Sequence, residues 1–220
     1  MNFYVIIPAH NEGKNIGLVL ERTKKFVTSN RIIVVDDGSK DNTAAQARKQ
    51  GVTVLRHIIN LGKGGALRTG SLYAYKKGAE AFIYMDSDGQ HNPEDIPQLL
   101  SELKNNDIVF TYRDKASIHM PIVKKFGNAF IDTSMRILFR INVQDTQCGY
   151  KAMTRTAYEK LKLMSNDYSI ESEIVAKTGK YKLRYTQLPI KTIYADRYKG
   201  TTVFDGINIV MKMLWWKIAR

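Results

Sequence analysis

With one cysteine, Cys148, in 220 residues, the chain has no partner for an intrachain disulfide. Its four histidines are scattered, and neither a C-x₂-C nor an H-E-x-x-H spacing occurs, so the sequence carries no zinc-site spacing. A reducing compartment is the expectation that follows. No apolar run approaches the ~20 residues of a spanning helix, and Met1-Asn2-Phe3 runs into a strand without a basic leader. A soluble or peripheral protein is therefore expected. No G-x-G-x-x-G follows the first apolar strand, which removes the main support for a dinucleotide-dependent dehydrogenase. The stretch Asn60–Gly65 resembles a phosphate loop only superficially. A Walker A motif needs glycine where His57 stands and Ser or Thr where Gly64 follows Lys63, so ATP-driven phosphoryl transfer is disfavoured. No helix-turn-helix, zinc-finger or RNP-type aromatic pattern appears, and nucleic acid is not an expected partner.

What is abundant is positive charge, and it is unevenly placed. Residues 1–110 hold 14 Lys/Arg against 12 Asp/Glu, whereas residues 111–220 hold 20 against 9, so nearly all of the +13 lies in the second half. Some anionic partner is expected to meet that half. The length suits one large α/β unit, and 44% hydrophobic residues supply its core.

Strands and helices alternate along the first half. Phe3–Ile7 is an apolar strand, followed by the turn Pro8-Ala9-His10-Asn11-Glu12 and a helix marked by Ile16, Val19, Leu20 and Phe26. Ile32–Val35 ends in Asp36-Asp37-Gly38-Ser39, where a carboxylate is placed to take a ribose hydroxyl or a base N–H; Asp-Gly is equally an ordinary turn former. Asp41-Asn42-Thr43 then caps a helix starting near Ala44. Val52–Leu55 is a third strand. After it Lys63 opens a helix running to about Lys77, where it approaches a diphosphate or merely faces solvent. Ala81–Met85, Pro93–Leu103 and Asp107–Thr111 read as strand, helix and strand, and this β-α-β alternation predicts a mostly parallel sheet.

The strand Ala81–Met85 breaks off at Asp86-Ser87-Asp88. In extended backbone, residues i and i+2 point the same way, so both carboxylates leave the strand on one face and share one cation. Hard oxygen ligands suit Mg²⁺ or Mn²⁺, with Gln90 offering a further carbonyl oxygen. Gly89 stands at the wrong position for a calcium loop. An isolated D-x-D is more often just a polar turn; here four successive strands end in polar, Gly-bearing or acidic loops on one edge, the edge at which open α/β sheets bind ligands.

The motifs IIPAHNE, VVDDGSKDNT, NLGKGGALRTG, MDSDGQHNPED, DTQCGYKAM and YSIESEI, in this order, resemble family 2 glycosyltransferases of the GT-A fold, within them the dolichol-phosphate and polyprenyl-phosphate branch. The resemblance covers nearly the whole chain. It implies a Rossmann-like, mostly parallel central sheet flanked by helices, as one domain over residues 1–200. Within it, residues 1–112 form a nucleotide-sugar and metal half and 113–200 an acceptor half. It implies that Pro8, His10, Glu12, Val35 and Asp37 hold the nucleoside, with Asn11 in the same turn. Asp86, Asp88 and Gln90 are assigned to the metal, with Ser87 beside the donor. Arg113 matches an acceptor-phosphate arginine, and Arg197 one that reaches the donor diphosphate. The chain departs from that branch at His10, where tyrosine is usual, and at Thr201-Thr202-Val203, where Ser-Lys often follows the loop glycine.

Two later stretches fit a membrane surface. Pro121–Ile141 carries Ile122, Phe126, Ala129, Phe130, Ile137 and Leu138 beside Lys124, Lys125, Arg136 and Arg140, the pattern of a basic amphipathic helix or of a core helix with a wet basic face. Residues 201–220 form an amphipathic helix whose Trp215 and Trp216 sit among Lys212, Lys217 and Arg220, an interfacial anchor pattern.

The expected activity is metal-dependent, inverting transfer of a hexose, mannose or glucose, from a GDP- or UDP-sugar to a polyprenyl or dolichyl phosphate. Asp88 and Arg113 would carry the chemistry, and Arg113 with Lys124 or Lys125 would fix the acceptor phosphate. A phosphate monoester already carries about −1.5 to −2 charges at pH 7 and needs no general base. The alternatives are a same-fold transferase acting on a sugar hydroxyl, with Asp145 as base, or a non-catalytic subunit that binds nucleotide sugar. Asp145 otherwise fixes the turn around Cys148-Gly149. The expected location is cytoplasmic, peripheral on the inner face of a membrane, with an integral membrane subunit as a conceivable partner.

Overall fold

A computed structural model describes residues 1–113, 122–191 and 212–218, and within 122–130 the backbone alone. The strands β1 (Phe3–Ala9), β2 (Ile32–Asp36), β3 (Thr53–Arg56) and β4 (Ala81–Tyr84) alternate with α1 (Ile16–Thr23), α2 (Thr43–Lys49) and α3 (Lys63–Lys76). A 3-10 turn, Pro93–Asp95, leads into α4 (Ile96–Glu102), β5 (Ile108–Arg113) and α5 (Ile122–Phe139). Then come β6 (Lys151–Thr154), α6 (Arg155–Leu161), α7 (Ser169–Lys180) and β7 (Tyr185–Ile190). Residues 212–218 are helical.

The seven strands form one sheet in the order β3-β2-β1-β4-β6-β5-β7. β1 to β4 pair in parallel, as do β5 and β7, and β6 alone runs antiparallel to its neighbours. The expected mostly parallel sheet is thus present. β2 and β4 are buried throughout, which is why they read as unbroken apolar runs. Successive residues feed opposite faces. Ile6, Ile33, Val35 and Phe82 join α3, α5 and α7 in one core, while Val5, Ile7, Val34 and Ile83 join α1 and α4 in the other. α3 lies tight on the sheet because Gly70 has no side chain; a Cβ there would stand 2.5 Å from Ile6 Cγ2.

Two features of this topology place the site. The chain moves from β1 outward to β2 and β3, then crosses back to add β4 on the other side of β1. That reversal opens a crevice at the carboxyl ends of β1 and β4. The antiparallel β6 begins at the same edge, with Lys151 opposite Tyr84, the last residue of β4. Residues 145–149 are thereby delivered beside Asp86.

Several local expectations shift. α1 stops at Thr23, whose hydroxyl donates back to the Val19 carbonyl at 2.7 Å, and Phe26 lies beyond the helix, 40% exposed. The Pro93–Leu103 helix is a 3-10 turn followed by α4. α7 has ten consecutive buried residues, Ser169 to Thr178, among them Glu171, Glu173 and Lys177. Buried on all sides, it presents no apolar stripe for a periodicity argument to find.

Candidate active site

The first wall of the crevice is the turn after β1. Asn11 takes a left-handed φ of 55°, tolerable for a short polar side chain. It is pinned there because its N–H donates to Ser39 Oγ at 2.9 Å and its Oδ1 accepts from the Lys40 N–H at 2.9 Å. The Glu12 N–H donates to Thr43 Oγ1 at 2.8 Å, and Glu12 itself is buried. His10 Nδ1 lies 2.8 Å from the Asp37 carbonyl oxygen. A carbonyl only accepts, so Nδ1 carries the proton and Nε2 accepts from the Asn11 amide at 3.0 Å.

Asp37 closes the second wall. Its Oδ1 accepts from the Leu61 N–H at 2.9 Å and sits 2.7 Å from His57 Nδ1, while Oδ2 accepts from the Gly62 N–H at 2.8 Å. These bonds clamp the Asn60–Gly62 loop and so aim the start of α3. His57, which sequence reasoning used only to reject a Walker A, is held at its other nitrogen by Thr69 Oγ1, 2.9 Å away. Gly62 takes a φ of 86°, and a Cβ there would meet the Asn166 carbonyl at 2.5 Å, so the loop turns against the α7 side of the fold without room for a side chain.

Lys63, the first residue of α3, is thereby carried into the crevice. Its Nζ lies 2.6 Å from Asp86 Oδ1 and 2.9 Å from Glu171 Oε1. The other Glu171 oxygen bonds Lys151 Nζ. Burial works against the Lys63 charge, but the fields of Asp86 and Glu171 overcome it and raise its pKa. Burial likewise would push the Asp86 carboxyl up; the Lys63 ammonium, and after it His91, bring it down to about 2. Asp88 is raised, first by burial and then by the Asp86 charge, while its Oδ1 accepts from the Gln90 N–H at 3.0 Å. Two carboxylates crowd each other where one is paired and the other is not fully compensated.

His91 was not singled out by sequence. It is buried, stacked on Tyr150 with centroids 5.0 Å apart, and its Nδ1 accepts from the Asp86 N–H at 3.1 Å. Burial lowers its pKa. Gly149 was anticipated only as part of a turn. A Cβ there would stand 2.4 Å from Asp86 Oδ2 and 2.6 Å from Lys63 Nζ, so bare backbone forms the floor under the carboxylate.

These walls enclose a cleft of about 420 Å³ lined by Pro8, His10, Asn11, Glu12, Asp37, Lys63, Asp86, Ser87 and Asp88, together with Tyr168 from the start of α7. Nine of the expected donor-side residues are therefore together. Val35 is not among the residues lining the cleft: its side chain is wholly buried in the core beneath α3. The strand alternation that carries Val34 to one face carries Val35 to the other.

Arg113 ends β5 and forms a two-point pair with Asp145, Nε to Oδ2 at 2.7 Å and Nη2 to Oδ1 at 3.1 Å. Asp145 Oδ1 also accepts from the Gln147 N–H at 3.3 Å, and its carbonyl accepts from the Cys148 N–H at 3.3 Å. It thus fixes the turn before Gly149, as its structural reading required. The Cys148 thiol is pushed up to about 11 by burial and by Asp145, and is not a nucleophile. The side chains of Lys124 and Lys125, and Arg197 with the rest of 192–211, lie outside the described residues.

Residues 4–162 match the family model described as glycosyl transferase family 2. A UDP-N-acetylglucosamine–dolichyl-phosphate N-acetylglucosaminyltransferase of Methanococcus voltae is 33% identical over 99% of this chain and 96% of its own. An undecaprenyl-phosphate mannosyltransferase of Micrococcus luteus is 28% identical over 100% and 95%. Among solved structures, glucosyl-3-phosphoglycerate synthase of Mycobacterium tuberculosis, crystallised with Mg²⁺ and UDP, aligns with a TM-score of 0.75 at 18% identity, over 98% of this chain and 79% of that one, a likeness of fold. On the extent of these matches, the chain is a glycosyltransferase and belongs to glycosyl transferase family 2.

Proposed function

We propose that this glycosyltransferase moves a hexose or N-acetylhexosamine from a nucleoside-diphosphate sugar to a polyprenyl or dolichyl phosphate, with inversion. The observation that carries the reading is the pair Asp86 and Asp88 at the switch-point cleft, one carboxylate already matched to the Lys63 ammonium. Asp86, Asp88 and Gln90 are the residues that would hold Mg²⁺ or Mn²⁺. The two carboxylates fit such an ion: both line the cleft with hard oxygen donors, and Asp88, raised by burial and by its neighbour, gains from an added positive charge, while Gln90 is not among the residues lining the cleft. When bound, the ion supplies charge stabilisation for the departing nucleoside diphosphate.

The chain's own groups do the rest. The His10–Glu12 turn and Asp37 shape the nucleoside side of the cleft. Ser87 stands between the two carboxylates at the sugar end. Arg113, oriented by the fork from Asp145, presents positive charge to the acceptor phosphate beside Lys124 or Lys125, and Arg197 to the donor diphosphate. Donor contacts then come from residues 1–112 and acceptor contacts from 113–200. The relatives named for dolichyl- and undecaprenyl-phosphate transfer support the lipid-phosphate acceptor. The test is transfer by purified protein from GDP-mannose, UDP-glucose and UDP-N-acetylglucosamine to a polyprenyl phosphate or to free saccharides, with and without Mn²⁺. Transfer only to a saccharide hydroxyl would favour the alternative acceptor class.

Arg113→Ala is expected to raise KM for the lipid phosphate at least tenfold, the scale of a lost charge-assisted bond, while donor affinity changes less than twofold. Equal losses for both substrates would remove Arg113 from the acceptor site.

No helix among the described residues is long and apolar enough to cross a membrane. We place the protein peripherally, on the cytoplasmic face of a membrane, with residues 201–220 as the interfacial segment. Of the two adjacent tryptophans, Trp216 is buried in the core beside Met213, whereas Trp215 is 68% exposed, with Leu214 and Ile218 also exposed. Trp215→Ala is expected to weaken co-sedimentation with anionic vesicles about tenfold without changing Tm. Trp216→Ala is expected to cost about 3–5 kcal/mol of stability. Unchanged vesicle binding by the Trp215 variant would rule out this helix as the anchor.

A further inference from the structure

Four charges form a row running inward from the cleft. Asp86, Lys63, Glu171 and Lys151 alternate in sign, each touching the next, with Lys63 Nζ 2.6 Å from Asp86 and 2.9 Å from Glu171. The side chains of Lys151 and Glu171 are 1% and 3% exposed, and that of Lys63 is 14%. The row is neutral and needs no outside ion. Asp86, however, is also one of the two carboxylates assigned to the divalent cation, and its Oδ1 is already occupied by an ammonium. Two cations cannot share that oxygen without strong repulsion in a partly desolvated cleft. The ammonium has somewhere to go. Its second carboxylate, Glu171, is anchored by Lys151 from behind, and the cleft lies in front. Gly149 packs close to both groups, since a Cβ there would stand within 2.7 Å of Asp86 and Lys63.

We propose that Lys63 is a resident counter-ion which the divalent cation displaces from Asp86, and that Glu171, braced by Lys151, is a positioning residue that keeps the displaced ammonium facing the diphosphate of the donor. The inference rests on the metal reading of Asp86 and Asp88. It makes the binding of metal alone weak, because the metal competes with a built-in cation. It also makes metal and nucleotide bind with positive coupling, because the nucleotide gives Lys63 a new anionic partner when Asp86 releases it.

The test is Mn²⁺ binding to the full chain, followed by the electron paramagnetic resonance signal of free Mn²⁺, with and without GDP or UDP. Lys63→Met is expected to bind Mn²⁺ about tenfold more tightly than the wild type when no nucleotide is present. Nucleotide is expected to improve that affinity less than it does in the wild type. The double variant Lys63→Met/Glu171→Gln removes one charge of each sign, so tighter Mn²⁺ binding there reports loss of the competitor and not an added negative charge. It also carries the test if the single variant fails to fold. Lys63→Arg, which keeps the cation, is expected to restore weak binding. Wild-type binding that is measurable, with equal or weaker binding in both Met variants, overturns the displacement. If neither wild type nor variants bind Mn²⁺ with or without nucleotide, the metal assignment itself is wrong and the displacement falls with it.

Discussion

Asp88→Asn is expected to lower kcat by about 10³-fold, with Tm unchanged within a degree or two. The reasoning is local. Asp88 makes one hydrogen bond of structural use, accepting from the Gln90 N–H, and asparagine keeps an oxygen for it. What disappears is a negative charge that burial and Asp86 already disfavour, so the fold loses nothing when it goes. The cleft loses the carboxylate that makes no ion pair among the described residues. Turnover at saturating donor and acceptor, measured beside a thermal melt, checks this. A variant turning over at the wild-type rate would show that Asp88 plays no part in the chemistry.

Gly149→Ala is expected to reduce kcat/KM about 10²-fold, the scale of a misplacement near 1 Å at a reacting centre. The added methyl would stand 2.4 and 2.7 Å from the two Asp86 oxygens and 2.6 Å from Lys63 Nζ. Lys63 is flexible and yields. Asp86 has less freedom, because only Met85 separates it from the end of β4 and its own N–H is tied to His91. Its carboxylate must therefore shift from its present position in the cleft. Tm is expected to fall by only a few degrees, since the clash lies at the rim of the sheet. A fully active Gly149→Ala enzyme would mean that Asp86 need not sit where it does.

Much of this centre was legible before any coordinates. The carboxylate pair follows from an apolar strand cut short by Asp-x-Asp, where period-two geometry leaves little choice. The His10–Glu12 turn and Asp37 follow from the rule that open parallel sheets bind at their carboxyl edge. Part of what stayed hidden depends on contacts between residues far apart in the chain. Glu171 sits in a helix buried on every side, so no stripe marks it, and its partner Lys63 lies more than a hundred residues earlier, at the start of α3. His91 looked like one more polar residue in a loop. At Val35, strand alternation turns the side chain into the core, away from the cleft. The two tryptophans looked equivalent by composition, and only packing separates the buried one from the exposed one.

The antiparallel β6 has a consequence for how the chain is made. It is the sole strand joining β4 to β5, so until residues 151–154 are available β4 has an open edge. A chain emerging from the ribosome thus exposes an apolar, unpaired ladder while β5 and α5 are being synthesised. Truncations ending before Lys151 are expected to aggregate, and a late-synthesised four-residue strand sets when the nascent protein becomes safe from its own neighbours.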